Sequence, residues 1–323
     1  MRKEDLRIVF MGTPEFAVET LKALVENDYN VVAVVTQPDK PVGRHQTEMQ
    51  PSQVKQYAVA HGLPVLQPEK MKDPVFIEQL RSYNANLQVV VAFRMLPEVV
   101  WAMPEYGTFN VHAALLPQYR GAAPINWAVI NGETQTGVTT FFLDHDIDTG
   151  RIILKKTFDI PDEADVEYVY DGLMHLGAEI CLETLEAIIA ANGHPDSIPQ
   201  DSVLDGSAIK PAPKIFKETC EIDWQKTAKQ VYDFVRGLSP YPGAWTTLVA
   251  PDGKETVLKI YKTRKTGKPG KGIGTITIEG KALCVSAADE QLEIVELQLA
   301  GKKRMMARDF LNGMKQIEDY RVK

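Results

Sequence analysis

Two residues that can do chemistry close a short strand-like segment, Thr108-Phe109-Asn110-Val111-His112. Side chains on a strand alternate between faces, so the Asn110 carboxamide and the His112 imidazole share one face. A neutral imidazole moves protons near pH 7, and a carboxamide can donate a hydrogen bond to an oxygen on which negative charge develops. An isolated Asn-x-His also fits a capped loop with a satisfied histidine. Here the run leads into Ala113-Ala114-Leu115-Leu116-Pro117-Gln118-Tyr119-Arg120-Gly121-Ala122-Ala123-Pro124, which has no regular period. Strands of an open α/β sheet deliver their ligand sites beyond their carboxyl ends, and the polar pair sits at such an end.

A second segment, Asp144-His145-Asp146-Ile147-Asp148-Thr149-Gly150, places three acids at alternate positions. A calcium loop of that pattern needs glycine where Thr149 stands and a distal bidentate glutamate, and neither is in register. The segment reads instead as a turn that presents one carboxylate to a histidine, raising its basicity and fixing its orientation. Cys181, Cys220 and Cys284 are far apart and match no disulfide or zinc spacing, so no metal is expected.

The elements that must position these groups follow from apolar periodicity. Leu6–Met11, Val31–Val35, Pro64–Leu66 and Leu87–Val91 are short apolar runs separated by helical periods over about Phe16–Val25, Ser52–Ala60 and Val75–Ser82, and a strand over Thr108–His112 follows Gly107. Continuous apolar strands alternating with helices predict a doubly wound, mainly parallel α/β sheet. The first turn, Gly12-Thr13-Pro14-Glu15-Phe16, lacks the glycines of a dinucleotide fingerprint. Thr13 there suits an N-cap and Pro14 a first helical position. Strands over Val138–Leu143 and Ile152–Phe158 precede an amphipathic helix over residues 165–190. Residues 193–213 are rich in Pro, Ser, Asp and Gly and read as a linker. Short strands separated by Gly and Asp turns then predict a smaller OB-like β-barrel with a helix at each end, near Thr227–Arg236 and Ala307–Met314. The expected division is a catalytic domain over 1–192, a linker over 193–208 and a barrel over 209–323. Trp101, Trp127 and Trp224 read as core or interface anchors.

Composition narrows the class. The 323 residues, 44% hydrophobic and 24% charged, exclude a disordered or collagen-like chain and suggest about two domains. No run approaches a membrane span and no signal segment is visible, so no membrane partner and a cytoplasmic location are expected. The formal charge of −7 argues, taken whole, against nucleic acid. It divides unevenly: residues 1–208 carry 15 Lys+Arg against 29 Asp+Glu, and residues 209–323 carry 21 against 14. The C-terminal part is therefore expected to attract phosphate.

These segments together resemble the methionyl-tRNA formyltransferase family. The resemblance rests on Gly12-Thr13-Pro14-Glu15-Phe16, Thr36-Gln37-Pro38-Asp39-Lys40-Pro41-Val42-Gly43-Arg44, Asn110 to Pro124, Asp148-Thr149-Gly150, Pro240-Tyr241-Pro242-Gly243-Ala244-Trp245 and Leu299-Ala300-Gly301-Lys302-Lys303. It implies formyl transfer from 10-formyltetrahydrofolate to the α-amine of initiator methionyl-tRNA, with no covalent enzyme intermediate. It also implies a catalytic trio of Asn110, His112 and Asp148. The donor is expected along Val91, Phe93 and Leu96, along Ala114, Leu115, Leu116 and Pro117, and against Asp146. Arg44 and Lys40 of the loop from Gln37 to Gln50, with Lys302, Lys303 and Arg304, are expected on the tRNA. Three features depart from the family's pattern: Ala114 stands where it has a small serine, Ala92–Pro97 is one residue short, and less positive charge follows Arg44. The alternatives are a sugar-nucleotide formyltransferase, which shares a barrel-like second domain, and a catalytically silent folate- or RNA-binding protein, which would be expected to have lost the trio.

Overall fold

Apolar runs of about five residues stack side by side because each is buried on both faces. The computed structural model describes residues 1–42, 48–314 and 316–323. The strands β1 (Ile8–Gly12), β2 (Val31–Val35), β3 (Val65–Leu66), β4 (Leu87–Val91), β5 (Thr108–His112), β6 (Gln135–Phe142) and β7 (Ile152–Asp159) form one sheet, in the order β7-β6-β5-β4-β1-β2-β3. Strands β1 to β5 pair in parallel, and β6 runs antiparallel to β5 with Phe109 opposite Phe142. Strands β1 and β4 are buried along their whole length, which explains why neither alternates in sequence. The order reverses between β1 and β4. Their carboxyl ends therefore flank the crevice at which such sheets bind ligands. Gly12 is required there: a Cβ would stand 2.6 Å from the Ala17 Cβ and 2.9 Å from the Val91 carbonyl oxygen.

The helix after β1 starts one residue later than its sequence suggests. Pro14 is the N-cap and Glu15 the first helical residue, with no side-chain capping bond. Thr13 is displaced from the cap, and its hydroxyl lies 3.4 Å from the Gln37 amide. Ser52 and Asp73 do cap the helices Gln53–Ala60 and Pro74–Ser82, accepting from Lys55 and Val75 respectively. Two further helices are Glu15–Glu26 and Val166–Ala190.

The chain divides into two compact units that are not contiguous in sequence. The first comprises Met1–Gly121, Thr136–Phe158 and Tyr170–Pro211, and the second Ala122–Gln135, Asp159–Val169 and Ala212–Lys323. The stretch that composition reads as a linker, 193–208, is counted in the first unit. Ile198 exchanges backbone hydrogen bonds with Ile152, and Gln200 is buried.

In the second unit, β8 (Ala244–Val249), β9 (Glu255–Pro269), β10 (Ile276–Glu279), β11 (Ala282–Ser286), β12 (Glu290–Leu299), β13 (Met305–Met306) and β14 (Arg321–Val322) form a curled antiparallel half-barrel. Its order is β10-β11-β12-β9-β8-β14, with β13 on β12. A bridge from Thr275 to Arg321 links residues at its two edges. Trp224 is buried in its core and donates to Thr246 Oγ1 at 2.9 Å. Trp127 donates to the Pro213 carbonyl at 2.8 Å, as an anchor would. No helix among the described residues is long and apolar enough to cross a membrane.

The compact unit revises the charge argument. The segments 122–135 and 159–169 add Glu133, Asp159, Asp162, Glu163, Asp165 and Glu167 and no lysine or arginine. The second unit consequently holds 20 Lys+Arg and 20 Asp+Glu, a net charge of zero. The excess of +7 belongs to the linear segment 209–323.

Candidate active site

Strand β5 ends on the site. Asn110 and His112 lie on one face of it, and in the parallel register Asn110 stands beside Val90 and Val111 beside Val91 of β4. The imidazole is 6% exposed. Its Nε2 is 2.9 Å from the Tyr119 carbonyl oxygen, which can only accept, so Nε2 carries a hydrogen and donates it. That bond leaves Nδ1 as the basic nitrogen of the neutral ring. Nδ1 faces Asp148 Oδ2 at 3.8 Å, with the Asp148 side chain 14% exposed.

The sequence expectation was a carboxylate that fixes the ring's orientation. The Tyr119 carbonyl does that work instead, while Asp148 stands beyond hydrogen-bond length. Its Oδ2 accepts the Gly121 N–H at 2.9 Å. Asp148 itself has φ 55°, in the left-handed region. The other acids of the segment build the turn: Asp144 Oδ1 accepts from the Asp146 N–H at 3.2 Å and from the Thr149 hydroxyl at 2.7 Å. Among the described residues no group of three or more His, Cys, Asp or Glu could hold a metal.

Asn110 Oδ1 is buried and has no hydrogen-bond partner. An orphaned buried carbonyl oxygen costs on the order of 1–3 kcal/mol, which a polar ligand at this strand end would recover. The carboxamide at the crevice fits a substrate that brings an N–H donor and an oxygen acceptor.

The loop after β5 is held from β6. Thr139, fully buried, donates to the Ala114 carbonyl at 2.7 Å and accepts from the Leu116 N–H at 3.1 Å. Val91, Ala114 and Leu116 are themselves completely buried, and Leu96 is 7% exposed. They shape the crevice through backbone and packing. Pro117 is buried, Phe93 and Leu115 are half-buried, and Asp146 is exposed. Arg94, which stands in the shortened Ala92–Pro97 segment, donates to the Glu69 carbonyl at 2.9 Å and to the Pro68 carbonyl. It therefore tethers the crevice wall.

Gln200, absent from the sequence expectations, donates to the carbonyls of Asp148 and Gly150, and Arg120 donates to it. A buried glutamine in a Pro- and Ser-rich stretch carries no periodic signal. The Thr139-Thr140 pair inside an apolar strand was a visible one.

Of the residues expected on RNA, Arg44 lies outside the described residues. Lys40 is exposed, on a ribbon of Lys40–Val42 paired with Glu48–Gln50. The ribbon's base is pinned: Asp39 accepts from Lys55 and Gln67, each at 2.7 Å, and the Lys55 ammonium holds its carboxyl below the usual range. In the second unit Lys302 and Lys303 are exposed. Arg304 is not free. It makes a two-pronged pair with Glu296 at 2.6 and 2.8 Å and stacks 4.1 Å from the Tyr261 ring centroid. It lines a cavity of about 450 Å³ within that unit. Other cations of the cavity are paired too, Lys265 with Asp162 at 2.6 Å and Arg236 with Asp233 at 2.8 Å.

A mainly parallel sheet that carries an amide and an imidazole on the strand next to its switch point, joined to a curled half-barrel, defines a formyltransferase. The family model Formyl transferase matches residues 6–185, and the model Formyl transferase, C-terminal domain, matches residues 214–315. The methionyl-tRNA formyltransferase of Parabacteroides distasonis is 60% identical over 327 residues, covering 100% of both chains. That of Porphyromonas gingivalis is 48% identical over 97% of each. In fold the chain is similar to HypX from Aquifex aeolicus in complex with tetrahydrofolic acid, with a TM-score of 0.61 at 19% identity, covering 96% of this chain and 48% of that one. It is also similar to WlaRD, a sugar 3N-formyl transferase, with a TM-score of 0.62 at 17% identity, covering 92% and 99%. The chain belongs to the methionyl-tRNA formyltransferase family, whose members formylate initiator methionyl-tRNA with 10-formyltetrahydrofolate.

Proposed function

We propose that Asn110, His112 and Asp148 carry this formylation, and that the buried, unpartnered Asn110 Oδ1 beside a histidine with one open nitrogen is the observation that supports it. The folate donor supplies the formyl group and the nitrogen from which it departs. The α-amine of the aminoacyl ester has a pKa near or below about 7.7–8.0, so much of it is already neutral at working pH. It attacks directly, and no residue of the chain becomes acylated.

Asn110 serves both reactants. Its Oδ1 accepts an N–H of the amine, and its NH₂ donates to the formyl oxygen as negative charge builds there. One such donor is worth about 3 kcal/mol. His112 is locked by the Tyr119 carbonyl, so it takes the amine's proton at Nδ1 and hands it towards the departing nitrogen. Asp148 opposes the positive charge that the ring acquires. Phe93, Leu115 and Asp146 meet the donor with exposed atoms, while Val91, Leu96, Ala114, Leu116 and Pro117 form the backing layer. Lys40 on the ribbon and Lys302 and Lys303 on the half-barrel take phosphates of the tRNA, and Arg44 does so with them. Arg304 braces the last of these surfaces. The acceptor is a substrate of translation, and the enzyme works in the cytoplasm.

The test is His112→Ala. The kcat for charged initiator tRNA should fall by about 100-fold or more, the usual worth of a general base, while donor affinity stays within about threefold. Equal losses in both would remove the role.

A further inference from the structure

We infer that Gln200, braced by Arg120, is a positioning residue for Asp148; the inference rests on the role of Asp148 proposed above. Gln200 is 2% exposed. Its Nε2 donates to the Asp148 carbonyl and to the Gly150 carbonyl, each at 2.8 Å. Its Oε1 accepts from Arg120 Nε at 3.0 Å and from Arg120 Nη2 at 2.8 Å. Both hydrogens and both lone pairs of the carboxamide are used, which sets its orientation. Two of the four bonds come from a charged group and are the stronger for it.

The backbone under this grip needs support. Asp148 is left-handed at φ 55°, a conformation that a non-glycine residue holds only where its surroundings support it. Two residues on, Gly150 lies directly on β6, where a Cβ would stand 1.6 Å from the Phe142 carbonyl oxygen. Gln200 holds the carbonyls on either side of Thr149. The strand bridge between Ile198 and Ile152, with bonds of 2.8 and 2.9 Å, anchors the strap that carries Gln200.

The same tripeptide meets every part of the pair. The Tyr119 carbonyl orients His112, the Gly121 N–H holds the Asp148 carboxylate, and the Arg120 guanidinium holds Gln200. A closed ring results: Asp148 carboxylate, Gly121, Arg120, Gln200, Asp148 carbonyl. The 3.8 Å between His112 Nδ1 and Asp148 Oδ2 is fixed by this ring and not by any bond between the two groups. Gln200 touches no reacting atom, so it acts through Asp148.

The experiment uses the full chain, charged initiator tRNA and 10-formyltetrahydrofolate. Gln200→Leu should lower kcat by about 100-fold, the cost of misplacing a catalytic group by about 1 Å, with both KM values within about threefold. In an Asp148→Asn background the same substitution should cost nothing further. Gln200→Glu keeps the volume and the acceptor for Arg120 but turns a carboxylate oxygen towards two carbonyls. It should lose kcat similarly, and it carries the test if Gln200→Leu does not accumulate folded. A kcat within threefold of the parent overturns the inference. So does a loss expressed in KM, or a loss that multiplies with that of Asp148→Asn. If Asp148→Asn itself leaves kcat unchanged, the role of Asp148 fails first.

Discussion

Replacing Asp148 by asparagine removes one charge and little else. Asparagine matches aspartate in size, and its side-chain oxygen can still accept the Gly121 N–H that Asp148 accepts at 2.9 Å. What disappears is the attraction between the carboxylate and an imidazolium 3.8 Å away, both groups being largely shielded from solvent. With an effective dielectric constant of roughly 20, unit charges at that separation attract by about 4 kcal/mol. An amide dipole returns part of this, so the chemical step should lose about 3–4 kcal/mol, or roughly 10²–10³ in rate. The assay is single-turnover formylation of charged initiator tRNA with enzyme in excess, which separates chemistry from product release. Donor affinity, read by titration, should hardly move. Because the pair is shielded, the deficit should also be independent of ionic strength between 50 and 200 mM salt, unlike the RNA contacts (roughly a Debye-length argument). A single-turnover rate within about fivefold of the parent would refute the electrostatic role and leave His112 with no carboxylate partner.

Two further predictions concern the half-barrel. Lys302→Ala with Lys303→Ala should weaken tRNA binding and flatten its salt dependence by about one logarithmic unit per lysine, whereas Arg304→Ala should leave that slope nearly unchanged and lower the thermal midpoint, since Arg304 is committed to Glu296 and Tyr261. Filter binding over a salt series and thermal melts check both. The second is a pH effect. Lys265 holds the Asp162 carboxyl below its ordinary range, and Asp162 in turn raises the Lys265 ammonium. A depressed carboxyl stabilises above its unfolded value of about 3.9 and loses that contribution as pH falls through the lower folded value. A raised ammonium stabilises below about 10.4 and loses its contribution as pH rises beyond. Asp162→Asn should thus cost up to about 1 kcal/mol, a surface-pair magnitude, evenly from about pH 5 to 9.5, and nothing near pH 2. Denaturant melts across pH measure it, and a difference that grows in acid would exclude the pair as the cause.

Much of the first unit was legible because its signals are local. Val31–Val35 and Leu87–Val91 were apolar runs and Thr108–His112 a short strand after a glycine, and each is a largely buried strand of the parallel part of the sheet. The helix expected from about Ser52 begins at Gln53, with the Ser52 hydroxyl as its N-cap. Thr13, expected to cap the first helix, misled. A cap depends on the path of the chain into the helix, and Pro14 holds that path one residue later. Asn110 and His112 were nameable from residue type and spacing, whereas Asp148 was singled out among the three acids of its turn by the family resemblance alone. That His112 is oriented by the Tyr119 carbonyl was not, because a backbone oxygen seven residues away leaves no mark in composition.

The sequence by itself determined which residues have the chemistry: an amide and an imidazole two apart on a strand end, a carboxylate in a turn, and glycines where strands crowd. Periodicity and residue type are properties of neighbours in the chain, and they survive without a fold. Tertiary structure decided everything that depends on partners distant in the chain. It turned the Pro-rich stretch around Gln200 into a strap on the turn that holds Asp148, because one bridge to Ile152 outweighs a weak local propensity. It also cancelled the apparent basicity of the C-terminal part. Acids from 122–135 and 159–169, far away in sequence, fold into the same unit and neutralise its surplus, while Lys302 and Lys303 stand exposed and Arg304 is tied down. Charge acts through space and falls off with distance, so its sum over a segment says little until the segment's neighbours are known.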